Sequence, residues 1–214
     1  MSRIIDVGLE ELSAIINKMG ELAYRAVSAA IMECMENRQA YNEIREMSNA
    51  LISMSDHAED KAFELIARFQ PVASDLRTIK SYMKIAYDFA RFGRYALDMS
   101  YTHQKLGGIR NCDAWIISHI EEMGEKTLEM ISLSISSLRS HNAKLSEKVA
   151  QMEKEIDNMY FEFLDKLIER SGTTTKCTVS SVLIVRYLER IADHATYICE
   201  SVIYIVTGQR VILR

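Results

Sequence analysis

The sequence predicts an all-α protein made of two tandem three-helix bundles, and three observations carry that prediction. One proline and eight glycines in 214 residues leave few places for the chain to turn, whereas sheets of this size need many turn residues. Apolar residues recur at helical spacing along the whole chain. The stretches 84–96 and 183–195 align without gaps at an offset of 99 residues, matching Ile85 with Ile184, Phe89 with Leu188, Arg91 with Arg190 and Ala96 with Ala195. An internal duplication accounts for the match.

The first helix is expected from residue 1 to about 36, on Leu12, Ile15, Ile16, Met19, Leu22, Ala23, Ala26, Ala30 and Ile31. After Glu36-Asn37-Arg38 a second run, through Tyr41, Ile44, Met47, Leu51, Ile52, Phe63 and Ile66, continues to Gln70-Pro71. Proline stops that helix and suits the first turn of the next, with Ser74 or Asp75 favouring its start. The third helix reaches Gly107-Gly108, the only adjacent glycine pair, which sets the boundary between a first unit, 1–107, and a second, 111–214. Helices are then expected over about 113–140 and 143–171, followed by a loop Gly172-Thr173-Thr174-Thr175 and a last helix from about Thr178 to Thr207.

A formal charge of −4 and a pI of about 5.8 argue against nucleic acid as a partner. Cys34, Cys112, Cys177 and Cys199 show no CxxC spacing and read as free thiols in a reducing compartment. Acidic residues precede any long apolar run at the N-terminus, so no signal peptide is expected. Apolar runs such as Val182 to Val185 fall far short of the roughly 18–20 residues that span a bilayer. A soluble, cytoplasmic protein is the expectation.

Chemistry concentrates in carboxylate pairs. An acid four residues before an aspartate occurs at Asp56/Asp60, Glu153/Asp157 and Glu189/Asp193. Such i, i+4 pairs share a helix face and repel each other. In an antiparallel hairpin centred on residue 173, Glu153 lies level with Asp193 and Asp157 with Glu189. Four carboxylates on one patch suit hard or borderline cations such as Fe, Mn, Mg or Ca. The competing reading is two solvated faces neutralised by Arg186, Arg190 and Lys154.

The first unit lacks the equivalent set. Its corresponding positions are Ser48, Ile52, Ala90 and Arg94, and Asp56, Glu59, Asp60 and Glu64 read as an exposed acidic face. Arg91 and Arg94, with Arg77, are candidates for an anion or partner contact there, against the simpler pairing of Arg94 with Asp98. The five histidines form no Glu-x-x-His repeat of the ferritin-like type, and His194, about 100° around the helix from Asp193, suits a helix end or surface. No phosphate-binding glycine loop or nucleophile motif is present.

Gln70-Pro71-Val72-Ala73-Ser74-Asp75-Leu76-Arg77, Glu153-Lys154-Glu155-Ile156-Asp157, Leu188-Glu189-Arg190-Ile191-Ala192-Asp193 and Val206-Thr207-Gly208-Gln209 together resemble the PhoU family along essentially the whole chain. The resemblance implies two tandem three-helix bundles whose E(D)xxxD pairs bind a multinuclear metal cluster, usually iron and sometimes zinc. Only Glu153, Asp157, Glu189 and Asp193 match, so transition metal is expected in the second unit alone. It further implies a non-enzymatic regulator of phosphate uptake and of the phosphate-starvation response. Such a regulator acts at the inner face of the membrane on a phosphate ABC transporter and its sensor histidine kinase. Two alternatives are an accessory subunit of another transporter or channel and a helical di-metal oxidase or metal store. The amphipathic helices also make a homodimer an expectation.

Overall fold

A computed structural model describes residues 3–36, 38–170 and 175–213. Six helices follow in order: α1 (Ile4–Glu36), α2 (Tyr41–Phe69), α3 (Ala73–Leu106), α4 (Ala114–Ser140), α5 (Lys144–Glu169) and α6 (Thr175–Thr207). No strand occurs among the described residues. The all-α expectation therefore holds, and most helix ends fall within a few residues of the breakers read from the sequence. The last helix starts at Thr175 rather than Thr178, and the expected turn at 172–174, with its centre at 173, lies outside the described residues.

Left-handed residues end the helices where the sequence supplies them. Gly107, at φ 86°, closes α3 with its N–H on the His103 carbonyl, and Gln70, at φ 46° just before Pro71, closes α2. α3 starts at Ala73, which puts Asp75 in the first turn, where the helix dipole favours a carboxylate and Arg3 Nη1 donates to it at 2.7 Å.

α1, α2 and α3 pack on one another, as do α4, α5 and α6, giving two three-helix bundles. α3 against α6 and α1 against α4 join the bundles, so α2 and α5 lie on opposite flanks and touch only their own unit. One continuous apolar core results, with Leu12, Ile16, Phe89, Phe92, Met130, Ile156, Phe163, Leu188 and Ile191 fully buried. Gly93 marks a close approach: a Cβ there would stand 2.5 Å from Leu51 Cδ1 and 3.3 Å from Ser48 Cα. Only glycine lets α3 sit this near α2.

Two expectations fail. Cys112 and Cys177 form a disulfide, with Cα atoms 5.6 Å apart, because the segment before α4 lies beside the first turns of α6. A sequence separation of 65 carries no motif to announce that contact. Cys34 and Cys199 remain free thiols, buried among apolar side chains that push both up to about 12. His194 is not at the surface; it is buried at the α3–α6 contact, where its Nδ1 lies 2.8 Å from Asp88 Oδ1.

Candidate metal centre

All four expected ligands of the second-unit site lie on α5 and α6, which pack directly against each other. Helical spacing puts Glu153 and Asp157 on one face of α5, and Glu189 and Asp193 on one face of α6. Glu153, Glu189 and Asp193 are buried, and Asp157 is half-buried. The chain thus removes three carboxylates from water, which calls for compensation by donors or cations.

Part of that compensation comes from arginines one turn earlier. Arg190 Nη1 donates to Asp193 Oδ2 at 2.6 Å. Arg186 Nη1 lies 2.8 Å from Glu189 Oε2, but at an angle that makes no hydrogen bond, and that oxygen is buried without a donor. Burial, then the negative charge of Asp193, drives the Glu189 carboxyl up to about 7, with Arg186 and Arg190 opposing and Asp157 adding to the rise. That Asp157 on α5 acts on Glu189 on α6 puts the two pairs in one electrostatic neighbourhood.

Among the described residues, no three Asp, Glu, His or Cys side chains are gathered closely enough to hold a cation. The arginines draw Glu189 and Asp193 to themselves, as the competing reading of the sequence had it, while the burial of Glu153, Glu189 and Asp193 remains. The donor set fits a hard or borderline cation in its chemistry, since all four donors are oxygens. Closing on a cation would require Arg186 and Arg190 to turn outward, and both keep part of their side chains in solvent.

The first unit is different throughout. Ile52, Ala90, Arg91 and Arg94 line one open depression of about 390 Å³ with Asp56, so the register expected between α2 and α3 is present without ligands. Ser48 is buried, with no partner for its hydroxyl. Asp56, Glu59, Asp60 and Glu64 are exposed, as expected. Arg94 Nε lies 3.8 Å from Asp98 Oδ1, and Arg91 donates to the Tyr95 hydroxyl at 2.6 Å while stacking on its ring. Arg77 does not join them: it stands 14 residues earlier on α3, about 20 Å along the axis, against Gly208 at the end of α6.

Sequence reasoning missed Asp88 and Tyr95. The Tyr95 ring stacks on Tyr187 at 6.2 Å between centroids and lies 5.8 Å from the His194 ring. Burial lowers the pKa of Arg190, but Tyr95, Asp193 and Glu189 nearby outweigh it and hold that guanidinium above its ordinary pKa. A signal existed, because Asp88 interrupts the stripe Ile85–Phe92 and His194 the stripe Ile191–Ile198, each at helical spacing.

A family model described as the PhoU domain matches residues 16–102 and 120–202. A phosphate-specific transport system accessory protein PhoU homolog of Clostridium acetobutylicum is 31% identical over 218 residues, covering 98% of this chain and 97% of its own. A protein of the same description from Pseudomonas putida is 28% identical, with 97% and 82% covered. The crystal structure of PhoU from Pseudomonas aeruginosa superposes with a TM-score of 0.87 at 26% identity, over 95% of this chain and 99% of that one. A phosphate transport system regulatory protein PhoU from Streptococcus pneumoniae shares the fold, with a TM-score of 0.88 at 23% identity over 97% and 99%.

Proposed function

The chain belongs to the PhoU family, and from that premise we propose that it is a non-enzymatic regulator of phosphate uptake and of the phosphate-starvation response, acting on a phosphate ABC transporter and its sensor histidine kinase. The observation that carries the reading is similarity along 98% of the chain to accessory proteins of phosphate-specific transport. Among the described residues no helix is long and apolar enough to cross a membrane, so work at the cytoplasmic face of the membrane would go through partner subunits.

Glu153, Asp157, Glu189 and Asp193 would hold transition-metal ions, iron or zinc, in the second unit only. Three buried carboxylates support this reading: Arg186 and Arg190 only partly offset the burial that raises the Glu189 carboxyl, and a cation there would add to that compensation. Its contribution would be to tie α5 to α6 and cancel the repulsion within each pair.

Deletion in the native host, with phosphate uptake and starvation-gene expression measured in replete medium, tests the regulatory reading. Uptake and expression should both rise; unchanged values would favour service to another transporter or channel. Elemental analysis of protein purified without chelators tests the metal reading. Bound metal should disappear in Asp157→Ala and Asp193→Ala, and a metal-free wild type would refute it.

A further inference from the structure

Beyond Gly208, at φ 74°, the chain turns back along α6, and Leu213 N–H donates to Glu200 Oε1 at 3.2 Å. The returning segment roofs a depression of about 440 Å³ between α3 and α6, away from the carboxylate set. α3 contributes Lys80 and Lys84, one turn apart on one face, and the tail contributes Arg210. Glu200 is the one carboxylate in the lining. Three cations against one anion leave this wall at about +2 in a chain whose net charge is −4.

The cations are placed by contacts that leave their charge available. Arg210 lies over the Tyr204 ring, 5.7 Å from its centroid, and Lys84 over the Tyr197 ring at 5.6 Å. Lys84 Nζ stands 3.9 Å from Glu200 Oε2, too long for a charge-assisted hydrogen bond, and that carboxylate also receives the Leu213 N–H. Lys80 makes no ion pair among the described residues.

We propose that this depression binds a phosphate dianion, held by Lys80, Lys84 and Arg210. The charge balance selects a doubly negative group, and guanidinium and ammonium donors suit its tetrahedral oxygens. The cavity is larger than a bare phosphate ion, and Tyr204, Val211 and Ile212 give it an apolar side, which leaves space for an organic substituent. Inorganic phosphate and a phosphomonoester share this chemistry. Because Arg210 rides on the returning tail, occupancy pins that tail against α6. The assignment rests on this cavity's charge and shape and not on the transport reading, and a direct binding measurement fails or succeeds independently of the deletion phenotype.

The test is isothermal titration of the full chain in excess EDTA at pH 8 with inorganic phosphate and, separately, AMP; EDTA removes any metal that could itself bind phosphate. Saturable binding of one equivalent is expected, weakened at least about tenfold in Lys80→Gln and in Arg210→Gln. Both altered cations are exposed, so circular dichroism should show folded variants. Tighter binding of AMP identifies a phosphomonoester as the occupant, and equal binding identifies the phosphate group alone. Hydrogen exchange at 209–213 should slow with the bound anion. No saturable binding of either probe, or binding undiminished in both variants, overturns the proposal.

Discussion

Glu189 pays for its burial in protons. Its folded-state value of about 7 lies above the ordinary 4.5, so between those values the native protein binds more protons than the unfolded chain. This contribution is complete at low pH, declines as pH rises from about 4.5 through 7, and is gone above. In metal-free protein the melting temperature of wild type relative to Glu189→Gln should therefore fall between pH 5.5 and pH 8, by the equivalent of about 1–3 kcal/mol. Adding ferrous or zinc ion at pH 8 should restore it. Parallel melting curves for the two proteins across that range would show that the Arg186 and Arg190 contacts already suffice. The four acids were singled out in the sequence by spacing together with the hairpin register about residue 173, since spacing alone also gives Asp56/Asp60. Whether their oxygens converge was not legible there, because it depends on the side-chain torsions of Arg186 and Arg190, which spacing does not constrain.

The pairing of α3 with α6 carries the join between units. Tyr95 meets Tyr187, Asp88 meets His194 and Lys84 approaches Glu200, so the partners advance in opposite directions and the two helices run antiparallel. The Asp88–His194 contact is the polar centre of this seam. Burial pushes the Asp88 carboxyl up while the bond from His194 pulls it down, and Asp88 Oδ2 is buried without a partner. His194→Ala should cost about 3 kcal/mol in urea unfolding, because it strands a buried carboxyl. Asp88→Leu combined with His194→Leu should recover most of that loss. If the single and double variants lose stability equally, the pair is not what couples the helices. The helices themselves were readable from Pro71, Gly107-Gly108 and the apolar stripes. The seam was not, because helical periodicity gives each helix a face but does not say which other helix covers it. The Cys112–Cys177 bridge escaped for the same reason, being a contact between two element ends distant in sequence.

Seen whole, α1, α3, α4 and α6 form the middle of the molecule, and α2 and α5 are applied from either side. The duplication makes this nearly symmetrical, yet the equivalent α2–α3 and α5–α6 faces have diverged, one ending in Ile52, Ala90 and Arg94 and the other in Asp157, Glu189 and Asp193. The chain's single tryptophan is equally one-sided. Trp115, at the start of α4, stacks beside Phe163 of α5 and beneath Arg170, so its fluorescence senses one end of the second unit, whereas far-ultraviolet circular dichroism sees all six helices. The continuous core and the α3–α6 seam predict a single cooperative transition, with the two optical signals tracing superimposable denaturation curves. Fluorescence that changes at lower urea would instead mean that the α4–α5 hairpin opens by itself while the remaining helices hold. One indole thus turns an architectural question about two joined bundles into a comparison of two midpoints.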